Sequence, residues 1–360
     1  MRSDDHYFFE EEFHQEDRKR LKKERKIAQS TDRSKFKKTN QNKTYKKELH
    51  YHANTHSIRA RVLSISKEGV KVSTDEREFL CTIKGSLKNK TTQEKNLLSV
   101  GDFVQIQPIN GSQGQILSID ERYSFLARED ISGRKKQLIA ANIDQVLITT
   151  SVVLPPLKSF LIDRYIIAAR KGNMDSIILI NKIDLLEGNT KERLFYQEFL
   201  EAYSNYPILS ISTITKEGVD ALKKVMKKKT SVFSGQSGVG KSSLINALLG
   251  LDLPVGGITH KTQKGTHTTT TAILLPIPGG GFCIDTPGIK GFGIWNLTQE
   301  EVIDHFTEIK EVGRQCKYPN CLHKGEPYCA VQKAVQTLQL SRLRFESYLS
   351  LIEDIRSSIL

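Results

Sequence analysis

The sequence predicts a multidomain α/β protein: a small β-barrel, then a phosphate-binding α/β domain, then a small helical metal-binding domain. Short alternating strands separated by glycines occupy residues 57–124. Near-continuous apolar strands alternate with helical segments in residues 125–292, and helical periodicity surrounds a Cys/His cluster in residues 293–360. A chain of 360 residues is long enough for these domains.

Residues 1–56 are predicted to form a disordered basic extension. Between Arg18 and Lys47, 14 Lys and Arg residues accompany only Glu24 and Asp32, so this segment holds nearly all of the formal net charge of +13. Its few apolar residues cannot bury enough surface to offset the entropy of ordering. Such a tail is attracted to polyphosphate. A merely solubilising extension is the alternative.

The sequence shows neither a membrane-spanning stretch nor a secretion signal. No run reaches the roughly 18 consecutive apolar residues that cross a bilayer. The acidic start MRSDDHYFFEEEFHQED lacks an apolar core, and no amphipathic anchor accompanies the basic residues. We therefore expect a cytoplasmic monomer without a membrane partner.

Five segments of the first domain have the alternation of short strands. They are SIRARVLSI, GVKVST, EFLCTIKG, GDFVQIQPI and GQILSIDERYSFLAR, with breaks at Gly69, Gly85, Gly101 and Gly114. Five strands in about 70 residues fit a small closed barrel, most often an OB-fold. Barrels of this kind often bind nucleic acid, although the strand pattern alone does not establish that use.

The second domain has five apolar segments that are typical of a parallel sheet covered on both faces. They are QVLITTSVV, DSIILINKID, PILSIST, TSVFSGQSG and GFCIDTPG. Helices are predicted over residues 157–170, 217–228 and 241–249, of which the first ends before Gly172.

A phosphate-binding loop follows the strand TSVF and opens the helix SSLINALLG. Its glycines let backbone N–H groups face phosphate, and the helix N-terminus adds its positive dipole end. Lys241 is expected to reach the β- and γ-phosphates, and the Ser242 hydroxyl to ligate Mg²⁺. The predicted nucleotide-contacting set is Gly235, Gln236, Ser237, Gly238, Val239, Gly240, Lys241, Ser242 and Ser243.

Two further strand ends carry nucleotide-binding signals. Asn181-Lys182-Ile-Asp184 has the form of the guanine-reading motif of GTPases, because a carboxylate at Asp184 can accept from guanine N1–H and the exocyclic amine. Ser210 and Ser212 resemble the loop that backs the guanine O6, with Thr213 in place of the usual alanine. The site is therefore predicted to prefer GTP and GDP over ATP.

Asp285-Thr-Pro-Gly288 ends the strand GFCI, about 45 residues after the phosphate loop. The Asp285 carboxylate can hold Mg²⁺ through water, and the Gly288 N–H can sense a γ-phosphate. Asp-x-x-Gly occurs often by chance. The prediction of a nucleotide-binding role therefore rests on its position at a strand end after the phosphate loop.

Four residues with metal-ligand chemistry lie within 14 positions: Cys316, Cys321, His323 and Cys329. They suit tetrahedral Zn²⁺ and leave no open coordination position for catalysis. The spacing is not that of a common zinc finger, so a cluster without metal is the alternative on residue reasoning alone. Cys81 and Cys283 lie within predicted strands and are expected to be buried apolar residues.

The order of these motifs is permuted. Ordinary Ras-like GTPases place the phosphate loop before the guanine motif, whereas here the guanine motif comes first. A circularly permuted Ras-like P-loop GTPase domain, preceded by an OB-like barrel and followed by a Cys/His cluster, resembles the ribosome small-subunit-dependent GTPase A family (RsgA/YjeQ). The resemblance covers residues from about 57 to the C-terminus, so the basic extension inherits no role from it.

The resemblance implies hydrolysis of GTP to GDP and phosphate, coupled to docking on and release from the small (30S) ribosomal subunit during its late maturation. Ribosomal RNA (rRNA) would be bound by the barrel and the C-terminal domain, and the charge of the tail, not the resemblance, predicts that the tail binds it too. The resemblance also implies that the Cys/His cluster holds one structural Zn²⁺.

Residues 265–271, Gly-Thr-His-Thr-Thr-Thr-Thr, occupy the place of the first switch. A threonine there senses Mg²⁺ and the γ-phosphate, and Thr268 and Thr269 are the candidates. The predicted magnesium ligands are Ser242, Thr269 and Asp285.

Ile289 stands where Ras-type enzymes carry a water-orienting glutamine. An aliphatic side chain cannot orient water, so slow intrinsic hydrolysis is expected. The family is described as supplying a histidine from the first switch, and His267 matches that position. An rRNA contact, or the capping of a mobile loop, is the alternative role for His267.

Two other functions remain open at this stage. An RNA-binding assembly chaperone could use GTP only as a conformational ligand, with incidental turnover. An ATP-dependent enzyme is the other alternative, and Asp184 argues against it.

Overall fold

The computed structural model describes residues 57–88, 96–129, 136–250, 272–285 and 297–357. The predicted disordered extension and the predicted first switch, with its histidine and threonines, lie outside these ranges, as does Gly288. Residues 57–360 cluster as one compact unit. None of the helices in the described ranges is long and apolar enough to cross a bilayer.

The first strands close into the predicted barrel. They run over Ile58–Ile65 (β1), Val70–Ser73 (β2), Glu78–Ile83 (β3), Phe103–Asn110 (β4) and Gln113–Ile119 (β5), with a single helical turn at Gly85–Lys88 (α1). The order around the barrel is β1-β2-β3-β5-β4, and β4 pairs with β1 to close it. Alternate residues such as Val62, Val72, Val104, Ile106 and Ile116 fill its core. The predicted OB-like barrel is confirmed.

A two-stranded hairpin follows the barrel: β6 at Phe125–Glu129 and β7 at Lys136–Ala141. The sequence pattern predicts one strand where the structure has β5 and β6, and it does not predict β7. The hairpin lies directly against the barrel, because a Cβ at Gly101 would sit 2.1 Å from the Ala141 carbonyl oxygen. The predicted domain boundary at residue 124/125 stays a prediction.

A six-stranded sheet forms the centre of the second domain within the described ranges. Its strands are Gln145–Ser151 (β8), Asp175–Asn181 (β9), Ile208–Ile211 (β10), Thr230–Ser234 (β11), Ile273–Pro276 (β12) and Phe282–Asp285 (β13). The order is β10-β9-β8-β11-β13-β12, parallel except for the β12–β13 pair. Every residue of β8 and of β11 is buried, as expected when helices cover both faces.

Helices cover the two faces of this sheet. They are Ser159–Lys171 (α2), Thr190–Ala202 (α3), Val219–Met226 (α4) and Lys241–Leu249 (α5), with a 3₁₀ turn at Ile183–Leu186. Val146 and Ile148 of β8 pack in the core that includes α2 and Phe199, which lies on α3, while Leu147 faces the core that includes α4 and α5. The sequence reading missed α3 and β12.

The C-terminal domain consists of short helices and one long one. They span Gln299–His305 (α6), Thr307–Gly313 (α7), Ala330–Gln336 (α8) and Arg342–Ser357 (α9). The helical pattern predicted on each side of the Cys/His cluster is broken, before the cluster at Phe306 and after it near Leu338, whose φ is 60°. Their core contains Val302, Phe306, Ile309, Tyr348 and Leu351.

A buried polar network joins this domain to helix α2. The Asp163 carboxylate, fully buried on α2, accepts from Arg344 and from Ser347 (2.5 Å), both on α9. His305 Nε2, on α6, lies 2.8 Å from the same carboxylate. The Tyr203 hydroxyl, just after α3, also donates to it (2.5 Å). Four segments of the chain therefore meet at one carboxylate.

Candidate nucleotide and metal sites

The phosphate-loop motif lies where the central strand β11 turns into helix α5. At Gly235 (φ 142°) a Cβ would sit 2.0 Å from the carbonyl oxygen of Thr149, on β8. At Gly240 (φ 92°) it would sit 2.3 Å from Asn181 Nδ2, on β9. Both positions therefore exclude any side chain, and the loop packs tightly against the neighbouring strand ends.

The Lys241 side chain folds back over this loop. Its ammonium donates to the carbonyl oxygens of Gly235 (2.8 Å) and Gln236 (2.6 Å). Ser242 and Ser243 follow in the first turn of α5 and are half-buried. The lysine charge, the hydroxyls and the helix N-terminus therefore converge at the carboxyl edge of the sheet, an arrangement suited to an anionic ligand.

The predicted guanine motif touches the phosphate loop directly. Asn181 Nδ2 donates to the Val239 carbonyl oxygen (2.8 Å), and Lys182 Nζ donates to that of Gly238 (2.6 Å). Lys182 adopts φ 63°, which turns its side chain from the end of β9 toward the loop. Within the described part of the chain, Asn181 Oδ1 is buried and has no hydrogen-bond partner. Two motifs more than 50 residues apart thus form one site.

The loop after β10 holds the Asp184 carboxylate. Ser212 Oγ donates to Asp184 Oδ1 (2.5 Å) and itself accepts from the N–H groups of Ile214 (3.2 Å) and Thr215 (3.1 Å). The hydroxyls of Ser210 and Tyr196 lie 2.6 Å apart. Sequence reasoning missed Tyr196 because it lies on α3, a helix that the apolar pattern did not reveal.

Asp285 ends β13, the strand paired in parallel with β11. Val232 pairs with Ile284, which places the backbone of Asp285 at the same edge as the phosphate loop. Of the predicted site residues, Gly288, His267, Thr268 and Thr269 lie outside the described residues. The structure therefore brings together the phosphate-loop residues, Asn181, Lys182, Asp184, Ser210, Ser212 and the backbone of Asp285.

The Cys/His residues form a second site in the C-terminal domain. The ligand atoms of Cys316, Cys321, His323 and Cys329 lie within 4.8 Å of one another. Cys316 Sγ lies 3.9 Å from Cys329 Sγ and 3.6 Å from His323 Nδ1, which in turn lies 3.3 Å from Cys329 Sγ. Two sulfurs on a tetrahedral zinc would be about 3.8 Å apart, given Zn–S bonds of about 2.3 Å. This cluster could therefore hold a metal ion.

The surroundings of the cluster suit metal ligation. Burial lowers the pKa of His323, which favours the neutral imidazole that metal ligation requires. The Gln332 side chain donates to the His323 carbonyl oxygen (3.0 Å), and the Gln332 N–H points to Cys329 Sγ (3.5 Å). Cys81 and Cys283 are buried within strands, as predicted.

Comparisons with known proteins show what the whole chain is similar to. The model of the RsgA GTPase family matches residues 119–295. The chain is 39% identical, over 79% of its length and 93% of the relative's, to the small ribosomal subunit biogenesis GTPase RsgA of Bacteroides fragilis. It is 37% identical to the Shewanella oneidensis protein of that name, over 82% of each chain.

Solved structures have the same fold. The crystal structure of YjeQ from Thermotoga maritima matches with a TM-score of 0.64 and 30% identity, over 83% of this chain and 98% of that one. YloQ, described as a circularly permuted GTPase, matches with a TM-score of 0.63 and 26% identity, over 86% of this chain and 98% of that one. The predicted permuted fold is confirmed.

Proposed function

The chain belongs to the RsgA GTPase family, and from that premise we infer that it is a GTPase acting in the biogenesis of the small ribosomal subunit. The observation that carries this inference is the direct contact between the guanine motif and the phosphate loop. A nucleotide spanning the two motifs would be read at its base and held at its phosphates by one connected structure.

The phosphates would lie on the loop of residues 235–243. The Lys241 ammonium, which now donates to two loop carbonyl oxygens, would turn to the β- and γ-phosphates. At the other end, Asp184 would accept from guanine N1–H and the exocyclic amine, with Ser212 fixing the carboxylate. Adenine offers neither donor there and would leave the Asp184 carboxylate with Ser212 but without the two base donors, which supports selection of GTP and GDP over ATP.

Magnesium would accompany GTP at the carboxyl edge of the sheet. Ser242 and Asp285 lie on the elements that such a site requires, and Thr269 of the first switch is proposed as the third ligand. Bound there, Mg²⁺ would neutralise charge that develops on the phosphates. His267 is proposed to accept a hydrogen bond from the attacking water, since Ile289 cannot. The water oxygen would then bond to the γ-phosphorus as the bond to the GDP oxygen breaks.

Zinc is the proposed occupant of the Cys/His cluster, as one structural ion. Three thiolates and one imidazole are the ligand set that zinc prefers, and four protein ligands leave no position for a reacting water. The ion would fix the segment between α7 and α8, which otherwise has few regular hydrogen bonds.

The proposed partner is the small ribosomal subunit with its rRNA. The protein would bind it as a monomer in the cytoplasm. GTP would favour docking during late maturation, and hydrolysis would drive release. The OB-like barrel also supports a second candidate: an RNA-binding assembly chaperone for which GTP is only a conformational ligand.

Hydrolysis of GTP and ATP, each with and without purified small subunits, separates these functions. We expect GTP turnover that rises when subunits are added, and negligible ATP turnover. GTP binding without subunit-stimulated turnover would favour the chaperone, and equal use of ATP would refute the base assignment.

A pair of variants sharpens this test. Asp184→Asn should bind GTP more weakly and xanthosine triphosphate more tightly than the native protein, since an amide can donate to the xanthine C2 oxygen. Asp220→Asn changes an exposed aspartate of α4, whose side chain is 88% accessible. This control should leave the affinities for both nucleotides unchanged. An Asp184→Asn protein that binds GTP like the Asp220→Asn control would exclude Asp184 from the base site.

A further inference from the structure

The segment that carries the metal ligands displays two tyrosines on its surface. Tyr328 is 76% exposed and Tyr318 is 43% exposed. Each is close in sequence to a predicted ligand: Tyr318 lies two residues after Cys316, and Tyr328 directly precedes Cys329. The Cys/His cluster therefore fixes the backbone from which both rings project.

One ammonium group ties the two rings together. Lys317 Nζ lies 4.6 Å from the centre of the Tyr328 ring and 5.8 Å from the centre of the Tyr318 ring. Both distances are within the range of a cation–π interaction. Both rings therefore lie next to the same positive charge.

The backbone at Tyr328 is held in an unusual conformation. Its φ is 61°, in the left-handed region that bulky residues seldom adopt. Cys329 next to it points inward and is 6% exposed, so this conformation sends consecutive side chains in opposite directions. Burial of the Tyr328 ring does not compensate for the strain, because the ring remains in solvent. Strain retained without a packing gain is typical of functional positions.

The charge around the rings favours a polyanionic partner. Arg314 and Lys317 are exposed on this segment, whereas Lys324 is paired with Glu353 (2.8 Å). Its acidic residue, Glu326, is engaged as a local acceptor for the N–H groups of Leu322 (2.8 Å) and Lys324 (2.6 Å). The nearby exposed side chains are the polar Gln315 and Asn320 and two prolines, Pro319 and Pro327, which stand next to the two tyrosines. None of these four side chains carries a negative charge.

We propose that Lys317, Tyr318 and Tyr328 form a stacking platform for unpaired bases of single-stranded RNA. Every base presents a π-face to an aromatic ring, and the lysine would meet the adjoining phosphate. This platform lies outside the nucleotide site and would give the protein a preference for single-stranded over duplex RNA. The inference deepens the proposed function, since it names the RNA feature that the C-terminal domain would recognise on the subunit.

The test measures RNA affinity by fluorescence anisotropy with the full chain loaded with zinc. The probes are a mixed-sequence single-stranded RNA of about twelve nucleotides and a duplex of equal length, at about 0.2 M salt to weaken nonspecific phosphate contacts. Replacing both rings, as Tyr318→Leu with Tyr328→Leu, should weaken single-strand binding about tenfold or more and leave duplex binding unchanged. The matched pair Tyr318→Phe with Tyr328→Phe keeps both rings and should stay within about twofold of the native protein. Leu194→Ala, at an exposed site on α3, is the surface control.

Zinc content and basal GTP turnover of each variant establish that the fold and the nucleotide site are intact. Unchanged single-strand affinity in the double leucine variant would overturn the platform. Loss of subunit binding without loss of RNA binding would also overturn it, and would place a ribosomal protein on these rings. If the native protein instead shows no subunit-stimulated GTP turnover, the proposed function is wrong. The RNA affinities still test whether the platform binds single-stranded RNA, because they do not depend on turnover. Should the double leucine variant lose zinc, Lys317→Gln tests the platform through its charge: single-strand binding should weaken, and an affinity equal to that of the native protein would overturn the proposal.

Discussion

Replacing Arg344 by methionine should detach the C-terminal domain from the α/β domain. Arg344 is almost fully buried and donates both to the buried Asp163 and, through Nε, to Glu308 (2.9 Å). Its guanidinium also lies 4.3 Å from the centre of the Phe306 ring. Methionine keeps much of the side-chain volume but leaves Asp163 without its strongest cation, so the variant isolates the loss of charge.

The structure sets the size of this effect. Burial acts to raise the pKa of Asp163, but the hydrogen bond with His305 and the charge of Arg344 hold it below its usual range, so the carboxylate is ionised at neutral pH. Removing one partner of a buried ion pair typically costs about 3–5 kcal/mol. Arg342, two residues earlier on the same helix, pairs with Glu346 in solvent, with 76% of its side chain exposed. Such surface pairs contribute about 0–1 kcal/mol, so Arg342→Met is the matched control.

Native-state hydrogen exchange at pH 7 measures the effect where it occurs. In Arg344→Met, amides of α9 and of α6 should exchange about 10²- to 10³-fold faster, corresponding to about 3–4 kcal/mol of lost local stability. Arg342→Met should change the exchange rates of the same amides by less than about fivefold. Because the pKa of Asp163 is lowered in the folded state, the stabilisation is present above the ordinary carboxyl pKa of about 4 and disappears as the pH falls through the folded-state pKa. Equal exchange in the two methionine variants would refute this account of the network.

Three further predictions concern the rest of the chain. Chelation of the metal should make the segment after residue 313 sensitive to limited proteolysis while GTP affinity stays within about twofold; an equally resistant metal-free domain would contradict a structural zinc. His267→Ala should lower subunit-stimulated GTP turnover about 10²-fold with subunit affinity preserved. Native turnover at saturating subunit would instead assign His267 to an rRNA contact. Deleting residues 1–48 should flatten the dependence of log RNA affinity on log salt. Deleting only the acidic residues 1–17 is the control and should not flatten it. An unaltered slope in the longer deletion would show that the basic tail does not touch phosphate.

Local signals in the sequence were enough to predict which elements carry the phosphate loop and the guanine motif. The phosphate loop is a strand, a glycine-rich turn and a helix in immediate succession, so short-range chemistry fixes its form. The Asn181–Asp184 motif follows an apolar strand, and strands of a parallel sheet end at one edge. These two features together predicted the meeting of segments that the structure places in contact.

Long-range packing was not predictable in the same way. Asp163 interrupts an apolar stripe on α2 and would ordinarily be assigned to the solvent face, since its partner Arg344 lies 181 residues later. Helix α3 escaped recognition because Phe199 is its only fully buried residue, so its apolar pattern is weak. The breaks at Phe306 and Leu338 arise where the C-terminal helices turn around a common core, which periodicity along one helix does not record.

The position of β8 in the sheet has a consequence for synthesis of the chain on the ribosome. Its neighbour on one side, β9, comes next, but the other, β11, follows late: Gln145 lies opposite Ser231, 86 residues further on. At about 5–20 residues per second, the nascent chain would wait about 4–17 s before that edge is paired. All seven residues of β8 are buried in the finished protein, so an unpaired strand edge that includes Val146, Leu147 and Ile148 would be open to other chains throughout that interval. The permuted order therefore leaves this edge of the sheet open until the strand before the phosphate loop has been synthesised.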